Sequence, residues 1–140
     1  MSPYPPHVSE LAFSLRKFVL QQAPRASELI YDAYNAVSLA YSLSDSLKDA
    51  FCHIAVYPNH VNFGFNRGTE LLQDMVVLEG TGKLIRHLKV TNDQKFPRNE
   101  VTLLLAETVE ISIRRNPNLA KSNIQPASIV KSISQNKRRP

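Results

Sequence analysis

The chain has 140 residues, of which 43% are apolar, so it is long enough to bury one hydrophobic core. No apolar run approaches the roughly 20 residues that cross a bilayer, and the opening MSPYPPHVSE lacks a basic region followed by an apolar one. With a single cysteine, Cys52, an internal disulfide is excluded, and we expect a cytoplasmic protein with no membrane partner.

The formal net charge of +5 belongs to one end of the sequence. Seven basic and no acidic residues follow Ile113, whereas the first 113 residues hold ten Lys or Arg against twelve Asp or Glu. The body is therefore mildly acidic, and the net charge does not indicate a nucleic-acid-binding domain. Any contact with nucleic acid is expected to be weak and to involve only the basic tail.

The N-terminal third of the sequence predicts one helix and two strands. Residues 1–7 form a proline-rich extension, after which apolar residues recur at helical spacing from Val8 and stop before Pro24. Glu28–Tyr34 and Ala36–Ser42 are rich in residues that favour strands, although a helix over the same stretch is an alternative.

Two further runs predict a β-hairpin. Phe51–Tyr57 is rich in strand formers, Pro58 and Asn59 are typical of a turn, and His60–Phe65 alternates in polarity. Successive side chains of a strand point to opposite faces, so this alternation separates the second run into two sets. We expect the core to receive Val61, Phe63 and Phe65, and the opposite face to carry His60, Asn62 and Gly64.

The second half of the sequence predicts a strand and another helix. Thr69–Val77 is ambiguous between a loop and a short helical turn, and Leu84–Val90 follows a glycine turn as a strand. Arg98–Arg115 carries an apolar stripe at helical spacing that ends before Pro117, and we predict a flexible basic tail for residues 116–140. This order of elements predicts an α+β fold for residues 8–115, an antiparallel sheet covered on one face by two helices. A ligand or partner could bind the other face.

The GTGK sequence is similar to part of a phosphate loop but does not fit one. A Walker A loop needs glycine five residues before Gly82, where Val77 stands, and Ser or Thr after Lys83, where Leu84 stands. GTGK also leads into a strand, whereas phosphate loops lead into a helix. The sequence therefore predicts a turn in which Gly80 and Gly82 supply positive φ.

The basic side chains after this turn alternate between the two faces of the predicted strand. Arg86 shares the parity of the core residues, whereas His87 and Lys89 share the opposite face. A core-side arginine is costly unless it is paired, so one interpretation is an ion pair with Glu79 or Asp74. The other interpretation is an anion site, formed by glycine amides, the GTGK lysine and the Arg86 or His87 side chain.

No motif identifies an enzyme, a metal site or a cofactor. His53 and His60 lie on adjacent hairpin strands, but no third metal ligand has a recognisable spacing, and exposed histidines are the simpler interpretation. Cys52 alternates with His53 along the strand, so no Cys–His pair is expected, and the cysteine is interpreted as a small buried apolar residue. An enzyme with His60 or His87 as general base is an alternative.

Two segments, YPNHVNFGFNRGTEL and LEGTGKLIRHLKV, resemble the YdhG-like family of domains of unknown function. The looser resemblance extends over roughly residues 10 to 113, and it implies a frataxin-like α+β sandwich. It also implies that the residues around the GTGK turn are characteristic of the family, which strengthens the anion-site interpretation. The expected anion-binding residues are Gly80, Thr81, Gly82, Lys83, Arg86, His87 and Lys89, beside a hairpin rim of Asn59, His60 and Asn62.

The function expected from these features is a non-enzymatic binding protein for a small anionic ligand or a protein partner. The resemblance implies an alternative, a frataxin-like intracellular iron-binding chaperone. Such a protein holds iron with surface carboxylates, because hard oxygen ligands suit that ion. The candidates here are few: the first helix offers Glu10 beside Arg16 and Lys17, and Glu28 and Asp32 follow near the first strand.

Overall fold

A six-stranded mixed sheet and two helices form an α+β fold, in a computed structural model that describes residues 4–32, 37–121 and 126–133. The strands lie side by side in the order fifth, fourth, third, second, first, sixth. In chain order the elements are α1 (Pro6–Gln22), β1 (Ser27–Asp32), β2 (Val37–Ser42), β3 (Ala50–Val56), β4 (Val61–Phe65), β5 (Arg86–Val90), α2 (Arg98–Arg115) and β6 (Ser128–Ile133).

Both helices pack on the same face of the sheet, as the sequence predicts. Each buries one apolar stripe, because residues three and four apart share a helix face. The α1 stripe runs from Val8 to Val19 and the α2 stripe from Val101 to Ile111. Their side chains form one core with those of the central strands, including Ile54 and Phe63. Within the described residues, no helix is long and apolar enough to cross a membrane.

The register of β3, β4 and β5 determines which side chains face the helices. Ile54 pairs with Phe63, and Phe63 with Leu88, so these three side chains lie on the helix-covered face. The neighbouring positions point to the opposite face, which no helix covers in the described part of the chain. The uncovered face therefore receives two cross-strand rows, His53–Gly64–His87 and Ala55–Asn62–Lys89.

The structure extends the predicted domain at both ends. Tyr4, which was assigned to a proline-rich extension, is buried in the core, and its hydroxyl donates to the carbonyl of Val56 at 3.1 Å. Within the predicted tail, Pro117–Lys121 forms a 3₁₀ turn and β6 pairs with β1 in parallel, so the sheet is mixed rather than antiparallel throughout. The tail residues 134–140 lie outside the described part of the chain.

Two local boundaries also differ from the sequence prediction. Strand β5 begins at Arg86 rather than Leu84, because Leu84 and Ile85 still belong to the preceding turn. In the ambiguous stretch Thr69–Val77, only the first two residues are helical, as part of the 3₁₀ turn Gly68–Glu70, and residues 71–78 have no regular structure apart from bends. The alternative helix over β1 and β2 is wrong for the described residues of both strands.

Candidate functional site: the uncovered face of the sheet

Three histidines and a lysine lie together on the uncovered face of β3, β4 and β5. His53 comes from β3, His87 and Lys89 from β5, and His60 precedes β4 at the end of the hairpin turn. Alternating polarity along each strand produces this arrangement, because the apolar positions must face the helices. His60 and His53 each lie close enough to His87 for their charges to interact.

His53 lies across the backbone of β4. Its cross-strand partner is Gly64, and a methyl group at that glycine would overlap the imidazole ring. The Nδ1–H of His53 donates to Oδ1 of Asn66 at 2.9 Å, since an amide oxygen can only accept. Burial lowers the pKa of His53, the bond to Asn66 opposes this shift, and His87 adds to it. Burial therefore favours the neutral form of the ring, and the bond to Asn66 orients it.

His60 is more exposed than His53 and stacks on an aromatic neighbour. Its ring lies 5.0 Å from that of Tyr57, centroid to centroid, with only 14° between the planes. Burial lowers the pKa of His60, and the positive charges of Lys89 and His87 lower it further. Weaker opposing effects come from a hydrogen bond with Asn62 and from the Glu79 carboxylate.

His87 and Lys89 supply the β5 side of the site. The backbone of His87 exchanges two hydrogen bonds with Glu79, at 2.7 and 2.8 Å, which closes the GTGK turn. Its Nε2 lies 3.8 Å from Oε2 of Glu79, so the carboxylate can pair with a protonated ring. Lys89 is exposed opposite Asn62. The predicted residues His60, Asn62, His87 and Lys89 thus share one face.

Arg86 does not join them, because it stabilises the GTGK turn from the other side. One terminal nitrogen donates to the carbonyls of Gly82 and Ile85, both at 2.7 Å. The carbonyl of Lys83 accepts from the hydroxyl of Thr69 at 2.9 Å, and that of Leu84 accepts from the Thr69 amide at 3.0 Å. Arg86 is therefore partnered by backbone oxygens, and the predicted ion pair with Glu79 or Asp74 is absent among the described residues.

The glycines of the turn have different roles. Gly80 has φ of 135°, a conformation that side chains rarely adopt, and it lies against the Ile85 carbonyl. Gly82 has no positive φ and nothing within 4 Å of an added methyl group, so that part of the prediction is wrong. Thr81 and Lys83 are exposed beside it, and Asn59 is exposed at the hairpin turn. The turn is connected to the histidine face through the backbone pair of Glu79 with His87.

The site contains no recognisable metal centre. No group of three or more His, Cys, Asp and Glu side chains among the described residues is arranged to hold an ion. Cys52 is buried on the helix-covered face, where burial raises the pKa of its thiol, so it does not pair with His53. Of the carboxylates expected for iron, Glu10 is exposed on α1, whereas Glu28 is buried and paired with Arg16. Glu28 is therefore not a free surface ligand.

Sequence reasoning missed His53, which it treated as one more exposed histidine. A usable signal was present, because His53 shares the parity of the polar positions and a glycine stands at the same parity in the next strand. A glycine in a strand often marks the close approach of another group.

No family model, curated protein or solved structure matches the chain.

Substituting Gly64 by alanine is expected to lower the free energy of unfolding by about 1–3 kcal/mol. The new methyl group would overlap the His53 imidazole, which is confined by burial and by its bond to Asn66. The matched control is Gly82→Ala, where the methyl group meets nothing and the expected change is within about 0.5 kcal/mol. Urea unfolding followed by circular dichroism measures both. Equal values for the two variants would contradict the steric argument.

Proposed function

We propose that this protein is a non-enzymatic binding domain that takes a small anion, a phosphate or a carboxylate, on the uncovered face of its sheet. The observation that carries the proposal is the grouping of His60, His87 and Lys89 on one face, where Lys89 and His87 lie close enough to lower the pKa of His60. Glu79 is the acidic side chain that acts on this group from the adjoining turn. An anion would relieve the repulsion among the three basic groups.

Each of these side chains has a defined part in the proposal. Lys89 supplies an ammonium group, and His60 supplies an imidazole whose pKa is lowered without a ligand. His87 adds a second imidazole next to Glu79. Asn62, opposite Lys89, supplies an uncharged amide. Hydrogen bonds to an anion are charge-assisted and are stronger than bonds between neutral groups. The GTGK turn forms the border of this surface rather than its floor.

Membership of the YdhG-like family is part of the same proposal. On that proposal, the family's characteristic GTGK, Arg86 and His87 positions would serve mainly to build the turn beside the site. Arg86 and Gly80 shape the turn, and the turn positions His87 through its backbone pair with Glu79. The iron-chaperone alternative is less favoured, because one of its three carboxylates is internal.

Inorganic phosphate tests the anion site directly. We expect phosphate to raise the pKa of His60, because a bound anion stabilises the protonated ring and opposes the effect of Lys89 and His87. The measurement is the shift of the His60 ring protons against pH, with and without phosphate, on isotope-labelled protein. Saturable amide shifts within β4 and β5 would accompany the change. A His60 titration that phosphate leaves unchanged would overturn the proposal.

Lysine substitutions separate a specific site from general charge. Lys89→Met is expected to weaken phosphate binding by about tenfold, which corresponds to one charge-assisted hydrogen bond. Without phosphate it should also raise the pKa of His60, because Lys89 lowers it in the native protein. The matched control is Lys17→Met, which removes the same charge from exposed α1 on the other side of the sheet. An equal loss in both variants would indicate non-specific attraction.

A further inference from the structure

A second surface combines exposed apolar side chains with arginines, away from the histidine face. Leu72 is 89% exposed and Val77 is 86% exposed, in a segment without regular structure. Leu103, on the neighbouring helix α2, is 52% exposed. Leu72 lies beside α2, because its backbone N–H donates to Glu107, one helical turn along from Leu103. Concentrations of this kind are typical of interaction surfaces.

The segment that carries Leu72 is attached to α2. Both carboxylate oxygens of Glu107 accept backbone N–H groups, from Leu72 at 2.7 Å and from Gln73 at 3.4 Å. The Gln73 side chain donates to the carbonyl of Leu103 at 3.4 Å. Leu72 is thus exposed although its backbone is bonded to the helix, so its exposure is a property of the fold.

Positive charge lies at the end of this surface where α2 finishes. A cleft of about 280 Å³ is lined by Glu70, Leu72, Ile111, Arg114 and Arg115. A hydrogen bond from Arg67 lowers the pKa of Glu70, and the charges of Arg115 and Arg114 lower it further. Arg67 forms the salt bridge with Glu70, whereas no ion pair of the described residues includes Arg114 or Arg115. The cleft therefore presents an apolar wall at Leu72, a Glu70 carboxylate that is already paired with Arg67, and two arginines to an incoming group.

We propose that this surface docks an acidic amphipathic segment of a partner protein. Apolar side chains of the segment would cover Leu72 and Leu103, and its carboxylates would pair with Arg114 and Arg115. Arginine recognises carboxylates through paired hydrogen bonds. Covering exposed apolar side chains removes their surface from water, which makes the free energy of binding more favourable. The phosphates of a nucleic acid would pair with the arginines but would not bury Leu72. The apolar wall therefore favours the peptide as the partner.

The probe is a fluorescently labelled helical peptide of sixteen residues, built from Glu, Leu and Ala with the leucines on one stripe. We expect the full chain to bind this peptide, as measured by fluorescence anisotropy. A scrambled peptide of equal composition should bind at least about tenfold more weakly. Leu72→Ser and Arg114→Gln are each expected to weaken binding about tenfold. Because Leu72 is 89% exposed, its substitution leaves the fold intact.

Two control variants make the test specific. Val130→Ser removes an exposed apolar side chain from β6, on a different part of the molecule, and should leave peptide binding unchanged. Lys89→Met, which weakens the proposed anion site, should also leave it unchanged, so the two proposals can fail separately. Peptide binding that Leu72→Ser does not weaken would overturn the inference, as would the absence of binding.

Two other occupants of the surface give different results. A single-stranded oligonucleotide that binds more tightly than the peptide, and does so equally well to Leu72→Ser, would assign the arginines to nucleic acid instead. A concentration-dependent dimer in sedimentation velocity that Leu72→Ser abolishes would assign the surface to a second copy of the chain. Either result would overturn the proposed acidic partner.

Discussion

Replacing Arg16 by methionine is expected to lower the free energy of unfolding by about 3 kcal/mol. The loss arises at Glu28, which is 2% exposed on the helix-covered face of β1. The guanidinium Nε of Arg16 donates to both of its oxygens, at 2.7 and 3.0 Å. Removing the arginine leaves a buried carboxylate without its cation, which costs more than the pair itself contributes. Arg16 is 39% exposed, so the loss is expected near the lower end of the range for buried pairs.

Two hydroxyl groups complete the surroundings of Glu28. Those of Tyr41 and Ser128 each donate to the carboxylate at 2.8 Å. Burial, and then the charge of Glu28, raise the pKa of Tyr41, so its hydroxyl keeps the proton that it donates. Ser128 belongs to β6, so the same carboxylate helps to hold the C-terminal strand. We expect Arg16→Met to weaken this attachment as well as the core.

The matched control is Arg67→Met, which removes an arginine from the more exposed pair with Glu70. Exposed pairs contribute little, and the expected change there is below about 1 kcal/mol. A double variant, Arg16→Met with Glu28→Gln, should regain part of the loss, because the unpaired charge is gone. Urea unfolding measures all of these. If Arg16→Met and Arg67→Met cost the same, Glu28 does not behave as a buried charge.

The faces of the central strands could be predicted because alternation is a local property of the sequence. Val61, Phe63 and Phe65 must all lie on one side of an extended chain, whatever the rest of the fold does. That pattern placed Asn62 on the uncovered face, and the same reasoning placed His87 and Lys89 there. Part of the candidate site could therefore be predicted from the sequence.

The features that could not be predicted depend on contacts between distant parts of the chain. Glu28 is buried because Arg16 approaches from α1 and Ser128 from β6, and no local pattern specifies either neighbour. Strand β6 is a short run whose partner, β1, lies about 100 residues earlier in the sequence. Arg86 was correctly assigned to the core side, but its partners are carbonyl oxygens of the turn, which carry no sequence signal.

Substituting Phe63 by alanine is expected to lower the free energy of unfolding by about 3–5 kcal/mol, comparable to the largest effects of single core truncations. Phe63 is fully buried in β4, and its ring lies 5.3 Å from that of Phe96 and 6.5 Å from that of Phe18 on α1. The ring of Phe65, two residues on, lies at 5.6 Å. Removing the Phe63 ring opens a cavity between α1 and β4, the strand that also carries Asn62.

The matched control is Phe13→Ala on α1, where the ring is 52% exposed and the expected change is within about 0.5 kcal/mol. The chain has no tryptophan, so circular dichroism in urea is the suitable measurement. The buried side chains of β4 hold the strand in place, and with it the side chains on the uncovered face. Phe63→Ala should therefore also shift the NMR signals of the His60 ring protons. A Phe63 variant as stable as the Phe13 variant would mean that this aromatic cluster does not position the site.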